Sequence, residues 1–133
     1  MKSCHLPCLG LLWALLTFVS ACSTAPTTAA GYDASAQAKF AKGDLDGAIS
    51  DSTKAIAFAS TDAEAYFCRG NAREAKDDFD GAIADYTKVI ELDPNNVDAY
   101  NNRGFAKESA GDLVGAAADL NKADELKSQQ SSQ

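Results

Sequence analysis

The chain has 133 residues, enough for one folded domain, and it carries 19 acidic against 12 basic side chains, a formal net charge of −7. An acidic chain repels phosphate, which argues against nucleic acid as a partner. The single histidine is His5, and the sequence shows no phosphate-binding glycine loop, cysteine cluster or nucleophile motif. We therefore predict no enzyme activity, no bound metal and no cofactor.

The stretch 1–21 has the pattern of a removable signal peptide. Lys2 gives a positive start, positions 9–19 form an apolar run too short to span a bilayer comfortably, and small residues lead to Cys22. The stretch 19–22, VSAC, resembles the bacterial lipoprotein signal. That resemblance implies cleavage before Cys22 and attachment of lipid, palmitate included, to that residue. An ordinary secretory signal and an uncleaved N-terminal anchor are the alternatives, and all three export the chain.

The stretch 22–30 is a predicted flexible tether, because the sequence STAPTTAA has no apolar periodicity. Ser23 directly follows the predicted lipid site. In the lipoproteins that the signal resembles, an aspartate there favours the inner membrane, so serine favours the outer membrane of a bacterial envelope. The sequence lacks a polybasic segment, so the lipid is the predicted membrane anchor.

Cys68 is the one cysteine outside the signal peptide and the lipid site, so the folded part is predicted to hold no internal disulfide. Two interpretations of Cys68 remain open. It is either a small buried residue of a helical core or a reactive thiol. The sequence favours burial, because an unpaired cysteine behaves as a small apolar side chain.

The rest of the chain repeats itself with a period of about 34 residues, so that equivalent positions recur three times. The equivalent sets are Tyr32, Tyr66 and Tyr100; Gly47, Gly81 and Gly115; Ala48, Ala82 and Ala116; Asp51, Asp85 and Asp119; and Lys54, Lys88 and Lys122. They define a domain over 31–130 with repeats at 29–62, 63–96 and 97–130, followed by a polar tail at 131–133. A period of this length indicates a helix-turn-helix solenoid, in which each repeat is stabilised by its neighbours.

The central repeat resembles the tetratricopeptide repeat (TPR) family. Tyr66, Gly70, Ala82, Tyr86 and Pro94 stand at the family's conserved aromatic, glycine, alanine, second aromatic and closing proline. Gly104 and Ala116 continue the small-residue positions in the third repeat. Arg69 and Arg73 depart from the usual leucine and tyrosine. The resemblance implies an all-α fold, a right-handed α-solenoid of three helix-turn-helix repeats.

Predicted helices cover 31–42 and 45–58, 63–76 and 79–92, and 97–110 and 113–127. Gly43 and Gly111 mark turns within the first and third repeats, each followed by an aspartate that can cap the next helix. Asp77 takes the place of the glycine in the second repeat. We expect it to adopt a left-handed conformation at a cost of under about 1 kcal/mol. Asp77 and Asp78 are interpreted as solvated turn residues rather than catalytic carboxylates.

Arg69 and Arg103 occupy positions where the family buries leucine, so each needs a carboxylate partner. One hypothesis pairs each aspartate with the arginine of the following repeat, Asp51 with Arg69 and Asp85 with Arg103, leaving Asp119 over. The sequence favours this over pairing within a repeat, because the first repeat has Ser35 instead of arginine. Pairing within a repeat and solvated, unpaired charges remain the alternatives.

The resemblance places a binding groove along the first helices of the repeats. Its predicted lining includes Asp33, Gln37, Phe67, Asn71, Asp98, Asn101, Asn102 and Phe105. Amides suit an extended peptide backbone, phenyl rings suit an apolar side chain, and the acids favour a basic or neutral partner. Some family members hold acidic chaperone peptides through Lys, Asn and Arg in this groove. The matching positions here are Asp33, Gln37, Cys68, Asp98 and Asn102, so we predict that this activity is absent.

The sequence thus predicts an exported, lipid-anchored protein-binding module or assembly factor of the cell envelope. A soluble periplasmic or secreted adaptor and a non-catalytic subunit of an envelope enzyme are the alternatives. No separate polar helix is predicted to follow the last repeat and cover it. Two outcomes are open for the last helix: its alanines (Ala116, Ala117, Ala118 and Ala123) are small enough for a monomer to tolerate the exposed apolar area, or a second copy or a partner covers it. The sequence favours coverage, because Ala117 replaces the isoleucines Ile49 and Ile83 there.

Overall fold

The structure, a computed structural model, describes residues 26–131. Over that range it contains six α-helices and no strand: α1 (Ala29–Ala41), α2 (Leu45–Phe58), α3 (Ala63–Glu74), α4 (Phe79–Leu92), α5 (Val97–Ser109) and α6 (Leu113–Gln130). The helices form three hairpins, and successive hairpins pack through α2 against α3 and α4 against α5. The predicted all-α solenoid of three repeats is confirmed. The predicted signal peptide, Cys22 and the start of the tether lie outside the described residues.

The helix boundaries differ slightly from those predicted. The Thr28 hydroxyl accepts a hydrogen bond from the Gly31 N–H at 3.1 Å and caps α1. Residues 29 and 30, predicted as tether, therefore form the first helical turn. At the other end, α6 continues to Gln130 because the predicted polar end contains neither proline nor glycine to stop it. Across residues 26–131, no helix is long and apolar enough to span a membrane.

Small side chains let the helices approach closely. The fully buried alanines are Ala36, Ala48, Ala55, Ala65, Ala72, Ala82, Ala99, Ala106 and Ala123. Gly70 and Gly104 are also buried, and a Cβ at Gly70 would lie 2.8 Å from the ring of Tyr86. Ala116 is buried, Tyr66 is half-buried, and Pro94 is exposed just beyond the end of α4. The core therefore depends on close helix contact more than on large side chains.

The turn inside each hairpin requires a left-handed residue. Gly43 and Gly111 have φ values of 80° and 91°, and Asp77 has the corresponding φ of 61°. The expected conformation of Asp77 is confirmed. The second repeat thus places a side chain where glycine is unstrained.

Replacing Asp77 by glycine is expected to raise the free energy of unfolding by about 0.5–1 kcal/mol, because relief of left-handed strain exceeds the added freedom of the unfolded chain. The urea midpoint should rise with an unchanged slope. Gly111→Asp, the reverse change at the equivalent turn, is the control and should lower stability by a similar amount. A lower midpoint for Asp77→Gly would contradict the strain argument.

Candidate functional site

The first helices of the second and third repeats are held by bidentate ion pairs. The Arg69 Nε and Nη2 atoms donate to the two carboxylate oxygens of Asp85 at 3.0 and 2.7 Å. Arg103 binds Asp119 in the same way at 2.8 and 2.7 Å. The pairing between successive repeats, which the sequence favoured, is therefore wrong, and the alternative within each repeat is observed. Asp119, expected to be left over, is fully paired.

Each buried aspartate also binds a second cation one helical turn further along the first helix. Lys39, Arg73 and Lys107 lie 2.7, 2.8 and 2.8 Å from Asp51, Asp85 and Asp119. In the first repeat, the Ser35 hydroxyl donates to Asp51 at 2.6 Å in place of the arginine. These second cations recur at the repeat interval, a signal that our sequence analysis missed.

Hydrogen bonds from their partners lower the pKa of Asp51 and Asp119. Burial alone would raise the pKa of Asp51, but hydrogen bonds from Lys39, Ser35 and Lys54 reverse the effect and lower it to about 2. For Asp119 too, burial alone would raise the pKa, but hydrogen bonds from Arg103 and Lys107 reverse the effect and lower it. Both carboxylates are therefore charged at neutral pH. Their stabilising contribution is present above the ordinary aspartate pKa and is lost as the pH falls through the lowered values.

The same arginines connect one repeat to the next. Arg69 Nη1 donates to the Thr53 hydroxyl at 3.2 Å, and Arg103 Nη1 donates to the Thr87 hydroxyl at 3.1 Å. Thr53 and Thr87 each lie on the second helix of the preceding repeat. Each arginine therefore fixes the first helix of its own repeat against both flanking second helices. This arrangement sets the relative position of α3 and α5.

The predicted groove residues lie on α1, α3 and α5, and two hydrogen bonds join side chains of neighbouring first helices. Gln37 of α1 donates to Glu64 of α3 at 3.0 Å, and Asn102 of α5 donates to Asn71 of α3 at 3.1 Å. We call the surface lined by the predicted residues the groove. Its predicted members divide into the exposed side chains Gln37, Asp98 and Phe105 and the half-buried side chains Asp33, Phe67, Asn71, Asn101 and Asn102.

A tyrosine forms the floor of the groove between α3 and α5. Tyr86 is fully buried, and its hydroxyl lies 2.8 Å from Asn71 Oδ1 and 2.7 Å from Glu74 Oε2. The single hydroxyl proton is therefore shared between two acceptors. Burial, and then the hydrogen bond to Glu74, raise the pKa of Tyr86, so the phenol stays neutral. Phe67 packs against the same ring at a centroid distance of 5.8 Å.

This network changes the role expected for the groove amides. From the sequence, Asn71 and Asn102 were expected only to bind the backbone of a partner peptide. Instead, Asn71 Oδ1 accepts from both Tyr86 and Asn102. Those bonds fix the orientation of the two amides, leaving the Asn71 amide group and the Asn102 carbonyl for other contacts. Substituting Asn71 would therefore disturb the floor as well as the binding surface.

The α1 end of the groove is acidic. Asp33 on α1 faces Asp62, the N-cap of α3, and Glu64 in the first turn of α3. Burial, hydrogen bonding to Asp62 and repulsion from both neighbours raise the pKa of Asp33 to about 6. Asp33 Oδ1 is buried without a hydrogen-bond donor. The groove therefore holds an unfavourable concentration of negative charge at this end above pH 6, and Asp62 is a member that the sequence analysis missed.

Replacing Asp33 by asparagine is expected to raise stability at pH 8 and to change it less at pH 4. Because the folded-state pKa is raised from 3.8 to about 6, the contribution of Asp33 to stability is present below 3.8 and is lost as the pH rises through 6. Thermal unfolding between pH 4 and 8 measures the difference. Asp98→Asn, at an exposed groove carboxylate on α5, is the control. A wild-type minus Asp33→Asn difference that is independent of pH would contradict this assignment.

Cys68 lies on the groove side of α3 but is buried, as predicted. Burial raises the pKa of its thiol, with the neighbouring Ser52 hydroxyl acting in the opposite direction and Glu64 and Asp33 adding to the increase. A neutral, buried thiol is a weak nucleophile. This environment supports the interpretation of Cys68 as a core residue.

Within residues 26–131, no group of His, Cys, Asp and Glu side chains is arranged to hold a metal ion. A shallow pocket of about 200 Å³ lies elsewhere, lined by Asn95, Leu126, Gln129 and Gln130. None of these is a predicted groove residue. We regard the groove as the better candidate because its amide and aromatic side chains suit an extended peptide.

Comparisons with known proteins place the fold in a family. A family model described as "TPR repeat" matches residues 75–111. The Arabidopsis OM64 TPR domain is 30% identical, with a TM-score of 0.74, over 77% of this chain and 84% of that domain. The chain belongs to the tetratricopeptide repeat family. The second TPR of Spaghetti (RPAP3), solved with the HSP90 peptide SRMEEVD, is 26% identical to this chain, with a TM-score of 0.73. That match covers 75% of this chain and 93% of the Spaghetti chain.

This TPR chain also resembles a longer protein. MamA is 29% identical with a TM-score of 0.78 over 80% of this chain, but the match spans only 63% of the MamA chain, less than two thirds of its length. No curated protein sequence gives a significant match. The comparisons therefore support the fold and a TPR interaction module, whereas the particular partner has to be argued from the groove itself.

Proposed function

We propose that this protein is a protein-binding module whose groove takes an extended segment of a basic or neutral partner. The observation that carries the proposal is the chemistry of the groove between α3 and α5. Asn71 and Asn102 are held in fixed orientations, with Phe105 51% exposed on the same face of α5. Amide donors and acceptors bind peptide backbone, while an exposed phenyl ring contacts an apolar side chain.

The charge of the groove supports a basic or neutral partner. Asp33, Glu64, Glu74 and Asp98 all lie on the groove helices, and every predicted groove residue is acidic, amide or aromatic. The second TPR of Spaghetti (RPAP3) binds SRMEEVD, a peptide with three acidic side chains. In this chain such a peptide would meet carboxylates rather than cations. We therefore expect acidic chaperone-type peptides to bind poorly.

A peptide array tests the proposal directly. Peptides of equal length with basic, neutral and acidic side chains, SRMEEVD among them, are compared for binding to the wild-type chain. We expect binding by basic or neutral members and at least about a tenfold preference over SRMEEVD, which corresponds to about 1.4 kcal/mol. Phe105→Ala and Asp98→Lys should weaken that binding, while Asp80→Lys, at an exposed position of α4 outside the groove, should not. Binding that is indifferent to both groove substitutions would place the site elsewhere.

We further propose that the protein is exported and anchored by lipid at Cys22 in a bacterial envelope, with the outer membrane favoured by Ser23. Support comes from the sequence pattern of residues 1–23, which precedes the described helices. A tethered binding module would act as an assembly or scaffold factor. The alternatives are a soluble periplasmic or secreted adaptor and a non-catalytic accessory subunit of an envelope enzyme.

Replacing Cys22 by alanine is expected to abolish lipid attachment and to release or misprocess the protein, because the lipid-bearing thiol is then absent. Mass spectrometry of the mature N-terminus, together with membrane fractionation, measures both effects. Cys68→Ala is the matched control and should leave fractionation unchanged, since Cys68 is buried in the folded domain. Unchanged membrane association of Cys22→Ala would refute the lipoprotein assignment and favour an uncleaved anchor.

Self-association or partner binding through α6 also remains a proposal. The supporting observation is that Leu113 and Val114 are 66% and 84% exposed at the start of this helix. A second copy or a partner that packs beside them would remove this apolar surface from water.

A further inference from the structure

An apolar contact joins each repeat to the one before it. Ala106 of α5 belongs to one buried cluster with Ala82 and Tyr86 of α4, and Ile83 packs against that cluster. Ala72 of α3 is the equivalent of Ala106 one repeat earlier and is also fully buried. At the junction of α4 and α5, a small residue of the first helix therefore packs in the same cluster as an isoleucine of the preceding second helix.

A polar contact accompanies the apolar one at both junctions. Arg69 of α3 donates to Thr53 of α2, and Arg103 of α5 donates to Thr87 of α4. A junction between two repeats of this chain thus combines an arginine and an alanine on the first helix with a threonine and isoleucine on the second. The two ends of the array can be compared with this pattern position by position.

The α1 end of the array has the small residue of this pattern but lacks the arginine. Ala38 is the equivalent of Ala72 and Ala106, but it is exposed, because no repeat precedes α1 within the described range. Ser35 stands where the arginine would be, and its hydroxyl donates to Asp51 of its own repeat. On the outer face of α1, the Ala38 side chain is therefore small enough for another helix to approach, but the arginine that would bind that helix is absent.

The outer face of α6 lacks the second-helix elements altogether. Three positions that are isoleucine or threonine in the inner second helices carry different, exposed residues here: Ala117 for Ile49 and Ile83, Asn121 for Thr53 and Thr87, and Asp124 for Ile56 and Ile90. The four isoleucines are all half-buried. Residues 117 and 124 lie about two helical turns apart, so they share one face of α6. That face offers a methyl group and a charge where a following repeat would need two branched apolar side chains.

We propose that Ala117 and Asp124 terminate the array, so that copies of this chain do not stack head to tail. If α1 of one copy packed on α6 of another as α5 packs on α4, Ala38 would take the place of Ala106, and Ala117 would take the place of Ile83, which packs against the cluster that contains Ala106. Asp124, which lies 3.9 Å from Lys127 of the same helix, would then lose water without gaining a partner on the other copy, which is unfavourable. Association would also lack the apolar area of two isoleucines, which has to offset the lost freedom of two molecules.

This proposal divides the surface of α6 into two parts. The face that carries Ala117 and Asp124 is the polar outer face that a terminal repeat needs for solubility. The self-association proposed for α6 is therefore limited to other arrangements, such as side-by-side contact at Leu113 and Val114, which are exposed at the start of the helix.

Sedimentation of full-length variants tests the proposal. Ala117→Ile combined with Asp124→Ile, the opened variant, should form species that grow with concentration, while the wild type should show no such growth by this route. Adding Ala38→Lys to the opened variant should return its sedimentation to that of the wild type, because the lysine would enter the apolar junction. Ala38→Lys alone is the matched control and should sediment as the wild type does. Circular dichroism checks helicity, which these exposed positions should preserve.

Three results would overturn the proposal. One is a folded opened variant that does not associate at about 100 µM, because Asp124 and Ala117 would then not be what prevents stacking. Another is association of the opened variant that Ala38→Lys leaves unchanged, because the contact would not involve α1. The third is a wild-type chain whose oligomers dissociate on Ala38→Lys, since stacking would already occur. This last comparison does not use the opened variant, so misfolding of that variant would leave it intact.

Discussion

Replacing Asp85 by alanine is expected to lower the free energy of unfolding by about 3–5 kcal/mol. Its side chain is 3% exposed and accepts hydrogen bonds from Arg69 and Arg73. Without it, Arg73 keeps a hydrogen bond to the Gly81 carbonyl at 3.3 Å and a longer contact of 3.7 Å to Asp78, neither of which replaces the Asp85 carboxylate. Arg69, 14% exposed, keeps the Thr53 hydroxyl as its hydrogen-bond partner. A guanidinium left without its carboxylate in this position is costly. Because small domains are stable by about 5–15 kcal/mol, the midpoint of urea unfolding should fall sharply.

Two other aspartates separate this effect from a general loss of charge. Asp51 is equally buried, but its cations Lys39 and Lys54 are 38% and 51% exposed. They can turn to water, so Asp51→Ala should cost about 1–2 kcal/mol. Asp80 is exposed, and Asp80→Ala should change stability by about 0.5 kcal/mol or less. Equal losses for Asp51→Ala and Asp85→Ala would contradict the assignment of the buried arginine as the origin of the effect.

The ion pairs also show why sequence periodicity predicts the fold but not every side-chain contact. Arg69 lies almost midway along the chain between Asp51 and Asp85, which are equivalent positions of successive repeats. Pairing with the aspartate before it and pairing with the aspartate after it therefore both recur at the repeat interval, and the period cannot choose between them. The choice depends on how the two helices of a hairpin face each other, which is a three-dimensional property.

Residues adjacent in the chain predicted local structure more reliably than the repeat period predicted the ion pairs. Residues adjacent in the chain determine the turns at Gly43 and Gly111, the strained Asp77 and the caps of the second helices. The sequence therefore predicted these features, and it predicted the helix boundaries closely. The groove was expected along the first helices because the resemblance to the tetratricopeptide repeat family implies it there. The hydrogen bond from Tyr86 to Asn71 was not predicted, because it joins residues 15 apart whose contact depends on the depth of packing between α3 and α4.

Replacing Tyr86 by serine, the residue that the first repeat has at this position, is expected to cost about 3–5 kcal/mol. The fully buried ring would leave a cavity, and Asn71 and Glu74 would lose the hydroxyl that they share. Urea unfolding measures the loss. Tyr86→Phe retains most of the ring volume and is the control, with an expected loss of about 1–3 kcal/mol from the missing hydroxyl.

The first repeat suggests that this cost depends on residue 70. It combines Ala36 with Ser52, both fully buried, whereas the second repeat combines Gly70 with Tyr86. In the wild type, the methyl group of Gly70→Ala would lie 2.8 Å from the Tyr86 ring, so overpacking should exceed the gain in helix propensity and lower stability by about 1–2 kcal/mol. After Tyr86→Ser the ring is gone, and the same Gly70→Ala change should raise stability by up to about 1 kcal/mol. This reversal of sign in a double-mutant cycle is the decisive measurement, because additive losses would mean that Gly70 does not serve to admit the tyrosine.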